Sequence, residues 1–473
     1  MSNYSNVKSA HQYYRDVFSS ELVIGDIGGL SKDIIVDIFV KRSCDIYTLN
    51  KKLSVSQSNL PPEQDKALRL LLNAIALSNL TLDEKWKGQQ VRLPSEYIDN
   101  IVSYLGEVLD VAPNLEYLVV SIQILFRIGA IEHAVTLIEN NLEVLQDVPV
   151  VFKILLLTCI LEEDYQYAML LAQRMAANSY LIGEDPLALL MVVTTIFKSG
   201  GYPDSYIDFT SLISKKDDVS YDHYQWLLKR EIKNDKPTIL ISCDVKYYHQ
   251  HAVSLIYSLY ESNRDSFNVH LHVYDADELT IENIKIKHAS LPELNISCTL
   301  EPIGNVSGIN VHYACRRFTA ANYLLSIFQG PLLIVDADSL IKNNWRFVEP
   351  KLVSSDIALT KSEGAPFWEK AIAGFVYLNG SEESRRFIKK VALFIWNNLK
   401  KNNVVWFLDQ VALSAVLDGV GESTNIARID TSLVFDINHQ EGAFMWAVTT
   451  IKDAENNYSA YKNYLLEKYN LIA

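Results

Sequence analysis

The sequence predicts two domains of different class: an all-α unit over residues 1–232 and an α/β unit over residues 236–473. Three observations carry this. Up to residue 232 apolar residues recur at helical spacing with little strand-like alternation. From Pro237 onward, short β-branched runs alternate with helical patterns. Between them lies the polar stretch Lys233–Pro237, a composition that suits an exposed connector. A chain of 473 residues has length for two or three domains and ample apolar material for their cores.

In the first unit the segments LFRIGAIEHAVTLIENNL, CILEEDYQYAMLLAQRMA and IFKSGGYPDSYIDFTSLI align, and the small residues Ala134, Ala168 and Ser205 come into register. Their separations, 34 and 37 residues, are close to the period of a tetratricopeptide-like helix-turn-helix, in which a small residue lets two helices approach. Gly129, Asp164 and Gly201 fall in the turns. The full signature of that repeat is absent, so an irregular helical bundle with coincidental spacing stands beside it. Either reading makes this half a helical docking module without a catalytic constellation, and His133 a surface or packing residue.

In the second unit Thr238–Ser242 is a β-branched strand ending at Cys243-Asp244, and the helical pattern YYHQHAVSLIYSLYES follows. Next come a strand at Asn268–Asp275, a helix near Ile281–Leu291, a strand at Asn295–Ile303, a helix through Arg317–Phe328 and the strand PLLIVDADSLI. Strands alternating with helices argue for a largely parallel sheet, whose ligand site lies beyond the carboxyl ends of its strands.

The last of these strands is the most informative, because it runs straight into Asp336-Ala-Asp338 and delivers two carboxylates to the mouth of the sheet. Like charges at this spacing repel unless a cation or hydrogen-bond donors share them. Hard oxygen donors suit Mg²⁺ or Mn²⁺, which bind through one or two carboxylates plus substrate phosphates and water. The bland alternative is a pair of solvated turn carboxylates capping the next helix.

Composition excludes several classes. Lys and Arg number 43 against 57 Asp and Glu, a net charge of −14, which speaks against nucleic acid as a partner. The five cysteines are widely spaced with no paired motif, so they read as buried thiols in a reducing compartment rather than a disulfide framework or zinc site. The polar N-terminus lacks the apolar core of a secretory signal, and no apolar stretch has the ~20 residues that span a bilayer. The expectation is a cytoplasmic protein with no transmembrane segment, with peripheral membrane contact and homo-oligomerisation left open.

The second unit resembles nucleotide-sugar glycosyltransferases of the GT-A fold, a Rossmann-like mixed sheet. It is most similar to the group that contains glycogenin and the bacterial lipopolysaccharide galactosyltransferases. Four segments carry the resemblance, in the family's order across about 180 residues. ILISCDVKYYHQHAVSLIYSLYESN resembles the first strand, acidic turn and helix. RRFTAANYLLSIFQGPLLIVDADSLI resembles the Arg, helix, strand and Asp-x-Asp pattern. AIAGFVYLNGSEESRRFI resembles the later Ala-Gly strand and helix, and WFLDQVALSAVL the Asp-Gln segment.

The resemblance implies roles position by position. Asp336 and Asp338 would hold Mn²⁺ or Mg²⁺ on the donor diphosphate, Asp336 also touching the ribose. Asp244 and Lys246 would lie beside the nucleobase. Arg317 would contact diphosphate or hold a metal-site carboxylate, for which a guanidinium fork is suited; the neighbouring Arg316 confuses the register. Gly374 would let the backbone approach the donor sugar. Asp409 and Gln410 would line the sugar and acceptor pocket, although Asp409 reads equally as a helix N-cap. His439 comes nearest to the family's third metal ligand, in a local pattern that departs from the family's, with Asp436 as the alternative and Lys452 reaching toward the diphosphate.

The function that follows is a metal-dependent glycosyltransferase using a nucleoside-diphosphate sugar, a UDP-sugar by resemblance, with a protein, peptide or glycan acceptor positioned by the helical unit. Two other readings stand against it. One is a degenerate transferase fold serving as an adaptor or scaffold. The other is a sugar nucleotidyltransferase, which would need a Gly-rich basic loop after the first strand; Cys243-Asp-Val-Lys-Tyr-Tyr-His has no such glycines.

Overall fold

A computed structural model describes residues 4, 7, 14, 15, 17–19, 21–24, 30–55, 60–82, 93–214, 218–229, 236–328, 330–448 and 456–471. The chain divides into two compact units, Met1–Gly200 with Gly364–Pro366, and Gly201–Glu363 with Phe367–Ala473.

Every regular element among the described residues of the first unit is a helix. Its main helices are α1 (Ile46–Val55), α2 (Pro62–Ser78), α3 (Ser95–Val111), α4 (Leu115–Arg127), α5 (Ile131–Glu139), α6 (Pro149–Leu161), α7 (Tyr165–Ala177) and α8 (Pro186–Lys198). Side chains start several of them. Asn114, Asp164 and Asp185 accept from the free amides of Tyr117, Tyr167 and Leu187, which a helix start leaves without partners. The apolar faces of α2, α3 and α4 meet in one core that includes Leu71, Leu105 and Ile124.

Two of the three aligned segments match each other in the structure. Gly129 and Asp164 sit in turns before α5 and α7, and Ala134 and Ala168 are buried at the same place in those helices. The third segment departs from the expectation, because after α8 the chain forms only a short 3-10 turn, Thr210–Leu212, and Ser205 is exposed. The physical reason is that this backbone pairs elsewhere. Asn398 accepts from the Asp208 amide at 2.7 Å and donates to the Asp208 carbonyl at 3.0 Å, while Phe209 N donates to Pro203 O.

In the second unit the described strands form an eight-stranded mixed sheet in the order β1-β4-β3-β2-β5-β8-β7-β9. They are β1 (Gln225–Leu228), β2 (Thr238–Asp244), β3 (Asn268–Tyr274), β4 (Ser297–Glu301), β5 (Leu332–Val335), β7 (Ile357–Lys361), β8 (Ala371–Leu378) and β9 (Ile426–Ile429). The short β6 (Leu340–Ile341) and β10 (Met445–Trp446) form a separate antiparallel pair. The centre is parallel, as expected, with β2 between β3 and β5. β1 and β8 run antiparallel to their neighbours, so the sheet as a whole is mixed. β1 lies in the stretch that the sequence reading assigns to the helical half; it joins the sheet because Trp226 and Leu228 register against Thr299 and Cys298. The expected connector at 233–237 lies largely outside the described residues.

The main helices of this unit are α9 (Val253–Asn263), α10 (Glu278–Ser290), α11 (Ile309–Ile327), α12 (Glu382–Lys400), α13 (Leu408–Asp418) and α14 (Asn457–Lys468). β2 feeds α9 through a short turn, Val245–Tyr247, and a five-residue π segment, Tyr248–Ala252. β3 is buried over its whole length and β5 over all four residues, which explains their near-continuous apolar runs. No helix among the described residues is long and apolar enough to cross a membrane. The described cysteines are all free; four are buried as expected, whereas Cys44 is exposed.

Candidate functional site

Connections from β2 lead toward β3 and β4 on one side, and β5 lies on its other side, so the crossover direction changes between β2 and β5. Ligands of open α/β sheets bind beyond the carboxyl ends of the strands at such a point. Leu240 and Ile241 of β2 register with Ile334 and Val335 of β5, and Asp336 follows β5 directly. The apolar run that buries β5 therefore ends by placing this carboxylate beside the last residues of β2, which ends at Asp244.

Arg317 stands midway along α11 and is buried. One terminal nitrogen donates to Asp336 Oδ1, and the other donates to Asp409 Oδ2 at 2.9 Å. Burial disfavours the guanidinium charge, but the two carboxylates outweigh it and hold the group above its ordinary range. For Asp409 burial dominates: it pushes the carboxyl up, Arg317 pulls it down, and the net direction is upward. Arg317 Nε is buried with no hydrogen-bond partner among the described residues. A donor left over in this position is the kind of group a ligand satisfies.

Asp409 is the second residue of α13, after Phe407, whose φ of +73° turns the chain sharply into the helix, and Gln410 N donates to Asp409 Oδ1 at 2.8 Å. Gly374 of β8 packs on the other side of Asp336. Its carbonyl accepts from Asp336 N at 3.3 Å, and a Cβ there would lie 2.7 Å from Asp336 Oδ2 and 2.0 Å from Phe435 Cε2. Asp336, Arg317, Gly374 and Asp409 are thus brought together.

The other expected residues sit apart from that contact set. Asp244 caps the turn after β2 by accepting from Tyr247 N at 2.8 Å, and Lys246 is exposed. Asp338 follows Asp336 by two residues, and its carbonyl accepts from Tyr458 OH at 2.7 Å. His439 is buried with its Nε2 2.9 Å from Ala447 O. A carbonyl only accepts, so this nitrogen carries the proton and Nδ1 alone remains as a lone-pair donor. Asp436 Oδ1 and Oδ2 accept from Asn438 N and Gln440 N, at 2.9 and 2.6 Å. Among the described residues no three His, Cys, Asp or Glu side chains are grouped as a metal would need. Lys452 lies outside the described residues.

Sequence reasoning missed a buried polar cluster on the neighbouring strands. Glu301, at the end of β4, accepts from His223 at 2.8 Å, from His272 at 2.9 Å and from Arg316. Burial works against its charge, yet these donors hold its carboxyl down at about 2. Arg316 and Arg317 therefore have separate carboxylates. The signal was present in Asn268-Val-His-Leu-His, where the two histidines alternate on one strand face. Their hydrogen-bond partners Ser297, Thr299 and Glu301 all come from β4, which local pattern does not reveal.

No family model matches the chain, and no curated protein matches it. Among solved structures it is similar to the apo form of the glycosyltransferase GlyE of Streptococcus pneumoniae TIGR4, at 15% identity and a TM-score of 0.35, over 50% of this chain and 63% of that one. It is also similar to the galactosyltransferase LgtC in complex with donor and acceptor sugar analogues, at 12% identity and a TM-score of 0.36, over 50% of this chain and 96% of that one. A third is mouse xyloside xylosyltransferase 1 in its apo form, at 12% identity and a TM-score of 0.30, over 46% of this chain and 99% of that one. The chain spans less than two thirds of the length of GlyE.

Proposed function

We propose that the second unit is a glycosyltransferase that moves a sugar from a nucleoside-diphosphate sugar, a UDP-sugar by its sequence resemblance, to a protein, peptide or glycan acceptor. The observation that carries this is the Asp336–Arg317–Asp409 bridge at the mouth between β2 and β5. A buried guanidinium between two carboxylates, with one donor left over, holds polar groups rigidly where a charged substrate would enter. Asp244 stands at the nucleobase end of this mouth. Gly374 lets the Asp336 carboxylate and the Phe435 ring pack directly on the backbone of β8, and Asp409 with Gln410 lines the acceptor side.

Mn²⁺ or Mg²⁺ fits Asp336 and Asp338 as a pair of hard oxygen donors to be completed by substrate phosphate and water. When bound, the ion would stabilise charge developing on the departing diphosphate. His439 offers such an ion Nδ1 only. Arg317 holds Asp336 in one orientation and adds positive charge where the leaving group forms. The free thiols suit a reducing compartment, and a cytoplasmic location belongs to the proposal.

The test is a thermal-shift and calorimetric panel of nucleoside diphosphates and their sugar conjugates, with and without Mn²⁺, followed by donor hydrolysis. The expected result is metal-dependent stabilisation by one nucleotide, abolished in Asp338→Ala. A folded protein that binds none of them overturns the reading and favours the scaffold alternative.

A further inference from the structure

The helical unit carries an open groove of about 320 Å³ between α3 and α5, floored by Leu125 of α4. Val102, Leu105, Gly106 and Leu109 line it from α3, at the spacing of one helix face. Thr136 and Leu137 line it from α5, with Glu132, His133 and Asn140 on the same side. The space over Gly106 is open: a Cβ there would meet nothing within 4 Å. The volume suits a few apolar side chains rather than a whole domain.

The stretch of chain that lines this groove is rich in carboxylates. Residues 93–152, which contain all of its lining, include nine carboxylates and one basic residue, Arg127. All nine acidic residues are exposed, from Glu96 on α3 to Asp147 ahead of α6. Arg127 does not offset them, because it is buried and donates to Ser78, Asn79 and the Ser19 carbonyl. Lys66 reaches Glu107 at 3.5 Å from outside the stretch, an exposed pair of small worth. By helical spacing Asp110 stands one turn beyond Gly106, and Glu139 one turn beyond Thr136, so carboxylates flank the apolar strip on both helices.

We infer that this groove docks a basic amphipathic helix of a partner protein. Its apolar stripe would fill the strip from Val102 to Leu109, and its Lys or Arg residues would face the carboxylates on either side. Apolar anchors laid into a groove supply affinity, and charge complementarity supplies on-rate and selection against acidic partners. A second copy of this chain is a poor occupant, since its net charge of −14 opposes approach to an acidic face. The inference stands apart from the transfer reading, because donor turnover is read separately.

The experiment uses the full chain and a fluorescent helix-forming peptide of Leu and Lys, with the leucines at helical spacing. Two controls accompany it: the same composition with the leucines scrambled, and a Leu and Glu version. Binding of the first alone is expected, weakening at least tenfold between about 0.05 and about 0.5 M salt. Gly106→Trp, which fills the groove at an exposed position, should lower affinity at least about tenfold with an unchanged melting temperature and unchanged donor hydrolysis. Thr136→Arg should do the same by charge. Equal binding of the scrambled peptide, or undiminished binding by Gly106→Trp, overturns the inference in favour of diffuse charge attraction. No binding overturns it outright, as does concentration-dependent self-association that Gly106→Trp abolishes.

Discussion

Arg317 donates to Asp409 across 2.9 Å, between side chains only 11% and 10% exposed that lie 92 residues apart in the chain. The same guanidinium also holds Asp336, so one side chain ties α11, the end of β5 and the start of α13 into a single charged unit. Asp336 thereby meets a cation of the protein's own before any substrate arrives.

Removing that cation leaves Asp409 buried without its partner. Arg317→Met is expected to cost about 3–5 kcal/mol of stability, the usual result of breaking a buried pair from one side. Arg317→Lys keeps the charge but not the fork, so it should recover part of the stability and little of the nucleotide binding. Denaturant unfolding and nucleotide titration separate the two effects.

Gly374→Ala puts a methyl group against Asp336 and the Phe435 ring, at distances no relaxed side chain adopts. Overpacking of this kind costs about 1–3 kcal/mol. Because Phe435 is the nearer obstacle, Phe435→Leu in the same chain should restore part of the stability. Recovery of nucleotide affinity would be smaller, since Asp336 still has to move. No loss in the single variant would show that the contact yields freely.

Glu301 sets a pH dependence whose sign is fixed. Its carboxyl is held at about 2 against an ordinary value of 4.5, so between these limits the unfolded chain binds more protons than the native one. Its contribution is present in full above pH 4.5 and is lost as the pH falls toward 2. The shift corresponds to roughly 3 kcal/mol for this fully buried group. Glu301→Gln should flatten that part of the stability curve, and should weaken the protein at neutral pH by leaving Arg316 without its carboxylate. Unfolding followed from pH 6 to 2 tests both, the range being about that of the shift; an unchanged slope would remove Glu301 as its source.

His439 and Asp338 make a paired test of the metal proposal. His439→Gln preserves a donor for Ala447 O while losing the imidazole lone pair. If Asp336 and Asp338 suffice, this variant keeps its Mn²⁺ dependence within about threefold, whereas Asp338→Ala loses it. A large loss in His439→Gln, with unfolding unchanged, would assign Nδ1 to the ion.

Wherever a residue's partners are close in sequence, the pattern was enough. The apolar period of β2, β3 and β5 placed the strands, and the apolar run into Asp336-Ala-Asp338 placed these carboxylates just after β5, because a strand's burial is written in its own side chains. Gly129 and Asp164 marked real turns for the same reason. Ser205 failed in the third repeat because Asn398, far along the chain, takes up the backbone groups that a helix would have paired.

What the sequence determined by itself was the alternation of helix and strand, the acidic balance, and the types of side chain delivered to the sheet's mouth. Tertiary structure decided which of them meet. It sent Arg316 to Glu301 and Arg317 to Asp336 and Asp409, although the two arginines are adjacent, because successive helical positions point about 100° apart into different environments. It also engaged His439 Nε2 with Ala447 O and brought β1 to the sheet edge. Contacts of this kind depend on long-range registers and on burial, which set the cost of every unpaired charge and are not encoded in any local spacing.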